Sequence, residues 1–330
     1  MISSFSNIIK GFSDAKILVI GDIALDEYIK GTVERISPEA PIPIVHVKEV
    51  LGVPGCAANT ASNILSLGGK AYLIGVVGND IAAKTLMKII ESKGIDPAGI
   101  VFMDNFSTIK KTRIIGLSSG NSQQLARVDN EEQIFGHEDS IIEKIDLIVP
   151  KVDIIIVSDY AKGLMNEKVS GHLKIVAERC SKRILVDTKP KNVHLYENVY
   201  MLKPNLKEAE EIIGKKILDN DDAIKAGKII QKRYHANVLM TRSAKGMDVF
   251  EDDKHAFIPS IALQLSDVSG AGDTVIAATA LSLAYGQNLI DSAFIANYAA
   301  CIVVGKSGTA TTTQEELIGY IDKTAKHPIR

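Results

Sequence analysis

The sequence has no surplus of either charge. Lys and Arg number 38 against 40 Asp and Glu, a formal net charge of -2. Such a balance excludes a protein that holds nucleic acid by bulk electrostatics, so an anionic ligand must be met by a local basic cluster. Cysteine is scarce: Cys56, Cys180 and Cys301 lie far apart without CxxC spacing, as expected of ordinary thiols in a reducing cytosol. Long hydrophobic runs are missing as well. The N-terminal MISSFSNIIKGFSDAKILVIGD has no basic segment followed by a long apolar stretch, and KILVIGD is too short for a signal or a membrane span. A cytoplasmic protein with no membrane or nucleic-acid partner is expected. There is no internal repeat, low-complexity tract or dividing linker, and residues 1–330 are expected to form one α/β domain.

What is present is alternation. KILVIGD, KAYLIGVVG, VDIIIVSDY, KRILVDTKP, VYMLKPN and NVLMTRSAKG have the composition of buried strands. Between them AANTASNILSLGG, DIAAKTLMKIIESKG and NEKVSGHLKIVAERCS have helical patterns. Strand and helix in turn predict a mostly parallel sheet with helices on both faces, whose ligands bind beyond the C-terminal strand ends. Polar residues stand at those ends: Asp22, Asp159, Asp187, Asn205 and Thr241. Two segments, near 28–50 and 107–130, break the rhythm with β-type alternation and, in the first, three prolines. They predict a small β-sheet lid whose exposed edges invite a second copy, hence a homodimer through the lid.

The stretch DVSGAGDT ends in an apolar helical pattern. Gly270, Ala271 and Gly272 before a helix start let backbone N–H groups point into a concavity, an anion hole. Phosphoryl transfer needs such a hole, and it needs a base beside it to orient the attacking hydroxyl. Asp273 is that candidate base. The bland alternative is a Gly-rich loop with an Asp capping the helix.

DVSGAGDT resembles the C-terminal signature of the ribokinase/PfkB family of carbohydrate kinases. PGCAAN (Pro54 to Asn59) is similar to the family's N-terminal glycine-asparagine motif, and KPNLKEAE to its Asn-x-x-Glu motif through Asn205 and Glu208. The resemblance covers nearly the whole chain, in the family's order, and implies a ribokinase-like fold. GDIALDEY, RISPEAPIPIV, SDYAKG, TRSAKGM and VVGKSGTAT narrow it to the branch that phosphorylates D-glycero-β-D-manno-heptose 7-phosphate at O1 on the route to ADP-heptose and the lipopolysaccharide core. That kinase is often fused to an adenylyltransferase carrying HxGH; the motif is missing here, so a free-standing kinase is expected.

The resemblance implies ATP and Mg²⁺, and leaves a monovalent cation open. It puts Asn205 and Glu208 near the metal and phosphates, with Glu208 reaching Mg²⁺ through water, although the same pair reads as a capping box. Thr241, Gly246, Asn297 and Gly308 are implied around the nucleotide, and Lys189 could face its phosphates. Asp26, Gly55, Asn59 and Asp129 are candidates for the sugar, since Asp and Asn take paired hydroxyls. Their bland alternatives are a turn, a helix-start cap and a solvated charge. The distal phosphate needs cations: Lys111, Arg113 and Arg127 lie on the lid segments and Lys162 follows a strand end. Alternation puts Lys111 and Arg113 on one strand face, although KKTR could equally be a solvated run. Two other functions fit the same residues: a kinase for another phosphosugar, and a catalytically silent sugar- or nucleotide-binding regulator.

Overall fold

The computed structural model describes residues 2–118, 121–261, 270–306, 308 and 310–326. Its strands are β1 (Lys16–Gly21), β2 (Ile23–Ile36), β3 (Pro43–Cys56), β4 (Lys70–Gly78), β5 (Asp96–Met103), β6 (Ile109–Ser118), β7 (Asn121–Asn130), β8 (Ile154–Asp159), β9 (Arg183–Thr188), β10 (Met201–Leu202), β11 (Asn237–Thr241), β12 (Gly246–Glu251) and β13 (Lys254–Pro259). Its helices are α1 (Ile2–Lys10), α2 (Ala57–Ser66), α3 (Ile81–Lys93), α4 (Glu138–Ile148), α5 (Glu167–Arg179), α6 (Leu206–Ile213), α7 (Asn220–Tyr234), α8 (Ala271–Ala284), α9 (Leu289–Val304) and α10 (Gln314–Lys326).

Nine strands form one sheet in the order β13-β12-β11-β10-β9-β8-β1-β4-β5. It is parallel from β5 to β11; β12 runs antiparallel to β11, and β13 antiparallel to β12. Side chains of a strand point to alternate faces, and β1 shows how this builds two cores. Ile17 and Val19 join the layer of α1, α2, α3, α8, α9 and α10. Leu18 and Ile20 join the layer of α4, α5, α6 and α7. A strand apolar on both faces belongs at the centre of such a sandwich.

The helix ends follow local chemistry. Asp80 caps α3 by accepting from Ala83 N–H at 2.7 Å, and Gly94 closes it in the left-handed conformation at φ 81°. No helix among the described residues is long and apolar enough to cross a membrane.

The second sheet has the order β3-β2-β6-β7. It hangs from the C-terminal edge of the large one, because β2 begins two residues after β1 ends and β3 runs directly into α2. β2–β3 and β6–β7 are antiparallel, whereas β2–β6 is parallel. The register sets Asp26 beside Lys111, and Lys111 beside Asp129; two residues along, Tyr28, Arg113 and Arg127 are aligned in the same way. A period of two then turns the charged residues of these rows to one face.

Candidate active site

The C-terminal ends of β1, β8, β9, β10 and β11 come together at one edge of the large sheet, and α8 starts there. Gly270 is its N-cap at φ 79°, a conformation that favours glycine, and among the described residues no side chain caps the helix. The first N–H groups of such a helix have no partner within the helix and suit an anion. The preceding part of the motif, Asp267 to Ser269, lies outside the described residues. At Gly272 a Cβ would come within 3.1 Å of Lys203 Nζ, so a side chain there would fill the space in front of that ammonium group. Lys203 is itself buried (4% exposed) and pairs with Asp187 at 2.9 Å.

Asp273, in the first turn of α8, is buried. Its Oδ2 accepts from Asn59 Nδ2 at 2.6 Å, and its Oδ1 from Thr60 Oγ1 at 3.1 Å and Tyr160 OH at 3.3 Å. The capping alternative does not hold, since none of these bonds caps α8. Burial, and then the negative charge of Asp187, push the Asp273 carboxyl up to about 6, against the donation of Asn59 and the charge of Lys203. Burial and the charge of Asp273 hold the Tyr160 phenol well above its ordinary range, so it stays a donor.

Two cavities meet at this carboxylate. One, of about 630 Å³, is lined by Asp187, Lys189, Lys203, Asn205, Glu208, Thr241, Gly246 and Asn297 together with Gly270, Ala271, Gly272 and Asp273. Asn205 and Glu208 form a complete capping box at the start of α6, with both bonds 2.9 Å. The other Glu208 oxygen accepts from Lys189 Nζ at 2.7 Å. Burial lowers the Lys189 pKa, but the hydrogen bond and charge of Glu208 outweigh it and the net direction is up. Asn297 donates to the Pro259 carbonyl at 2.9 Å. Gly308, at φ 75°, is not among the residues that line this cavity.

The second cavity, of about 470 Å³, lies under the small sheet and is lined by Asp26, Asn59, Lys111, Arg113, Arg127, Asp129, Glu131, Tyr160, Lys162 and Lys189, with Gly270 and Asp273 at its floor. Asp26 belongs to β2 rather than to a turn, and Arg113 faces it at 3.1 Å. Gly55 is not a lining residue; a Cβ there would come within 2.9 Å of Asp26 Cγ, so its bareness makes room for that carboxylate. Asn59 lies within α2, whose N-cap is Cys56, so it is not a helix-start cap. Asp129 is exposed on β7, in keeping with a solvated charge, and Arg127 of the same strand donates to both its oxygens at 2.7 Å. Lys111 and Lys162 share the carboxylate of Glu131.

Sequence reasoning passed over Thr60, Tyr160, Lys203 and Glu131, and treated Asp187 only as a strand-end residue. Asp22 too was treated only as a strand-end residue. Asp22, buried at the joint of the two sheets, accepts from the N–H groups of Tyr160 and Lys162 at 2.8 and 3.1 Å. Burial and the neighbouring Asp159 push it up to about 7.

The chain belongs to the pfkB family of carbohydrate kinases, whose family model matches residues 14–316. More particularly, it is 39% identical over 310 residues to the bifunctional protein HldE of Helicobacter hepaticus, a match that covers 93% of this chain and 64% of that protein. The HldE of Shewanella amazonensis is also 39% identical, over 311 residues, 93% of this chain and 63% of the relative. The chain thus spans slightly less than two thirds of the length of these relatives. Among solved structures, Arabidopsis thaliana ribokinase complexed with ribose and ATP superposes with a TM-score of 0.73 at 18% identity, over 93% of this chain and 99% of that one. Escherichia coli phosphofructokinase-2 in complex with fructose-6-phosphate gives 0.75 at 17% identity, over 94% and 99%. These likenesses show the ribokinase-like fold.

Proposed function

We propose that the protein transfers the γ-phosphoryl group of ATP to O1 of D-glycero-β-D-manno-heptose 7-phosphate, giving the 1,7-bisphosphate on the cytoplasmic route to ADP-heptose and lipopolysaccharide core. The observation that carries the reaction type is the position of Asp273 at the junction of two cavities. One has the open helix start, Lys203 and Lys189, suited to phosphates; the other has carboxylates and cations, suited to a charged sugar. The acceptor rests on the resemblance of RISPEAP and its companion motifs, and on the similarity to HldE.

In this reading ATP lies along the first cavity and the sugar under the small sheet, a lid over residues 28–50 and 107–130. Asp273, held by Asn59, Thr60 and Tyr160, accepts the proton of the O1 hydroxyl as the O1–P bond forms and the bond to the ADP oxygen breaks. The N–H groups of the Gly270–Gly272 turn and Lys203 meet the charge on the moving group. Thr241, Gly246, Asn297 and Gly308 are assigned to the nucleotide, and Asp26, Asn59 and Asp129 to the sugar, with Gly55 shaping the place of Asp26. Among the described residues no group of three or more His, Cys, Asp or Glu could hold a metal. A carboxylate offers four lone-pair sites, and Glu208 spends two in the bonds described, so it fits Mg²⁺ held chiefly by phosphates and reached through water. The ion would supply neutralising charge on those phosphates. A coupled assay of ATP consumption tests the reading: heptose 7-phosphate should be used, and free heptose and hexose phosphates poorly. A hexose phosphate used better would move the assignment to another phosphosugar.

Glu208→Gln keeps the capping box, since Gln serves at that position too, but removes the charge. The Mg²⁺ concentration for half-maximal activity should rise while Tm changes little; an unchanged Mg²⁺ titration would leave Glu208 with the cap and Lys189 alone.

The edges β3 and β7 are open among the described strands, and Val47, Val50 and Val128 are exposed on them. A homodimer through the lid would cover them. Light scattering should report twice the chain mass at assay concentration, and a monomer over the whole range would end the idea.

A further inference from the structure

We propose that Glu131 is a resident counter-ion of the acceptor's phosphate site: with no substrate its carboxylate holds two ammonium groups that a sugar-borne phosphate takes over, and binding exchanges one anion for the other. The inference rests on the phosphosugar reading above and assigns the place and manner of phosphate recognition.

Among the cations that line the acceptor cavity, Arg113 faces Asp26, Arg127 is bonded by two contacts to Asp129, and Lys189 has Glu208. Each has a carboxylate to itself. Lys111 and Lys162 have one between them: Oε1 of Glu131 pairs with Lys111 and Oε2 with Lys162. A single negative charge leaves that pair of lysines half neutralised. A phosphate monoester near neutral pH carries about -1.5 to -2 and three strong acceptor oxygens, so it fits both lysines better than the carboxylate does. Lys111 is also mostly buried, and burial lowers its pKa, so its ammonium depends on a close counter-charge.

The surroundings allow the exchange. Lys111 stands on β6 of the small sheet and Lys162 on the loop after β8 of the large one, so the anion between them bridges the two sheets. The chain around Glu131 is fixed independently of its side chain. Ile134 N–H donates to the Lys162 carbonyl at 2.8 Å, and Gln133 Nε2 to the Ala161 carbonyl at 3.3 Å. Glu131 itself is partly exposed, so its carboxylate has a way to water while the backbone stays. A neutral sugar has no charge with which to displace it; a phosphorylated one does.

The test is Glu131→Gln, with steady-state kinetics on heptose 7-phosphate and free heptose and thermal melts with and without the phosphosugar. Removing the competing charge should lower KM for the phosphosugar by about fivefold with little change in kcat, widen the preference over the free sugar by the same factor, and enlarge the Tm increase that the phosphosugar produces. If Glu131→Gln does not fold, Glu131→Asp, too short to span both lysines, should shift KM in the same direction. A KM that stays the same or rises overturns the exchange and leaves Glu131 as a fixed support for the lysines. If the parent makes no distinction between phosphorylated and free heptose, the acceptor reading fails and this inference falls with it. A preference in the parent without the KM shift in the variant removes the exchange alone.

Discussion

Asp273→Asn should cut kcat by about 10²–10⁴ while KM for both substrates moves little, as expected when a general base is lost. The side chain is buried, three donors converge on it, and both cavities open onto it. Asn cannot take the acceptor's proton. Because its carboxyl titrates at about 6, the parent is mostly ionised at neutral pH, and kcat/KM should fall tenfold per pH unit well below that value. The sign for stability is opposite. The folded-state value is raised above the ordinary 3.8, so the relative stabilisation is fully present below pH 3.8 and lost as the pH rises through about 6. The charge that catalysis needs is one the fold would rather not carry. Asn in its place should therefore not lower Tm by much, although its amide now faces the Asn59 donor. Turnover within a few-fold of the parent, at unchanged Tm, would remove Asp273 from the role of base.

Lys111→Met should weaken phosphosugar binding by about 2–5 kcal/mol, the range for truncating one partner of a buried, charge-assisted pair, with ATP affinity nearly unaltered. The side chain is 11% exposed, so water does little to replace it. Arg113→Ala should cost less, because Asp26 already neutralises the guanidinium. Arg127→Ala should cost least: that side chain is 44% exposed and engaged with Asp129. Binding of heptose 7-phosphate measured by calorimetry for the three variants gives the order. Equal losses, or a larger loss of ATP affinity, would move the distal phosphate elsewhere.

The sequence displayed some of this site and hid the rest for physical reasons. Period-two alternation along KKTR puts Lys111 and Arg113 on one face whatever the tertiary structure, and both line one cavity. The polar residues at strand ends were legible because a parallel sheet gathers such ends at one edge. Lys203 was not. In VYMLKPN it reads as the soluble end of a strand, yet it is buried against Asp187 from the neighbouring strand. Only pairing across β9 and β10 reveals that. Tyr160 and Thr60 were missed because their partner is far away in sequence, and an alcohol beside a helix or strand end carries no local signal. The charge run was ambiguous in one respect: which lysine shares its counter-ion depends on Lys162, from the other sheet. Helices α4 and α7 and strands β12 and β13 also escaped the strand-and-helix reading: the helices carry many charges, and β12 is buried along nearly its whole length without period-two alternation. The capping box of Asn205 and Glu208 was visible because both its bonds are local.

The hydrogen bonds around Asp273 also bear on how the protein is made. Asn59 and Thr60 reach it across 214 and 213 positions of sequence, and Tyr160 across 113. Thr274 is joined to Asn63 across 211. On the ribosome the early strands and α2 emerge first, and α2 must wait with its polar groups unmatched until α8 arrives. With Asp273 as the proposed base, a nascent chain should be catalytically silent through most of its synthesis, whatever part of the sheet has formed. Closing contacts of such long range is slow, so recovery of activity on refolding should follow the docking of α8 on α2 rather than the return of bulk secondary structure.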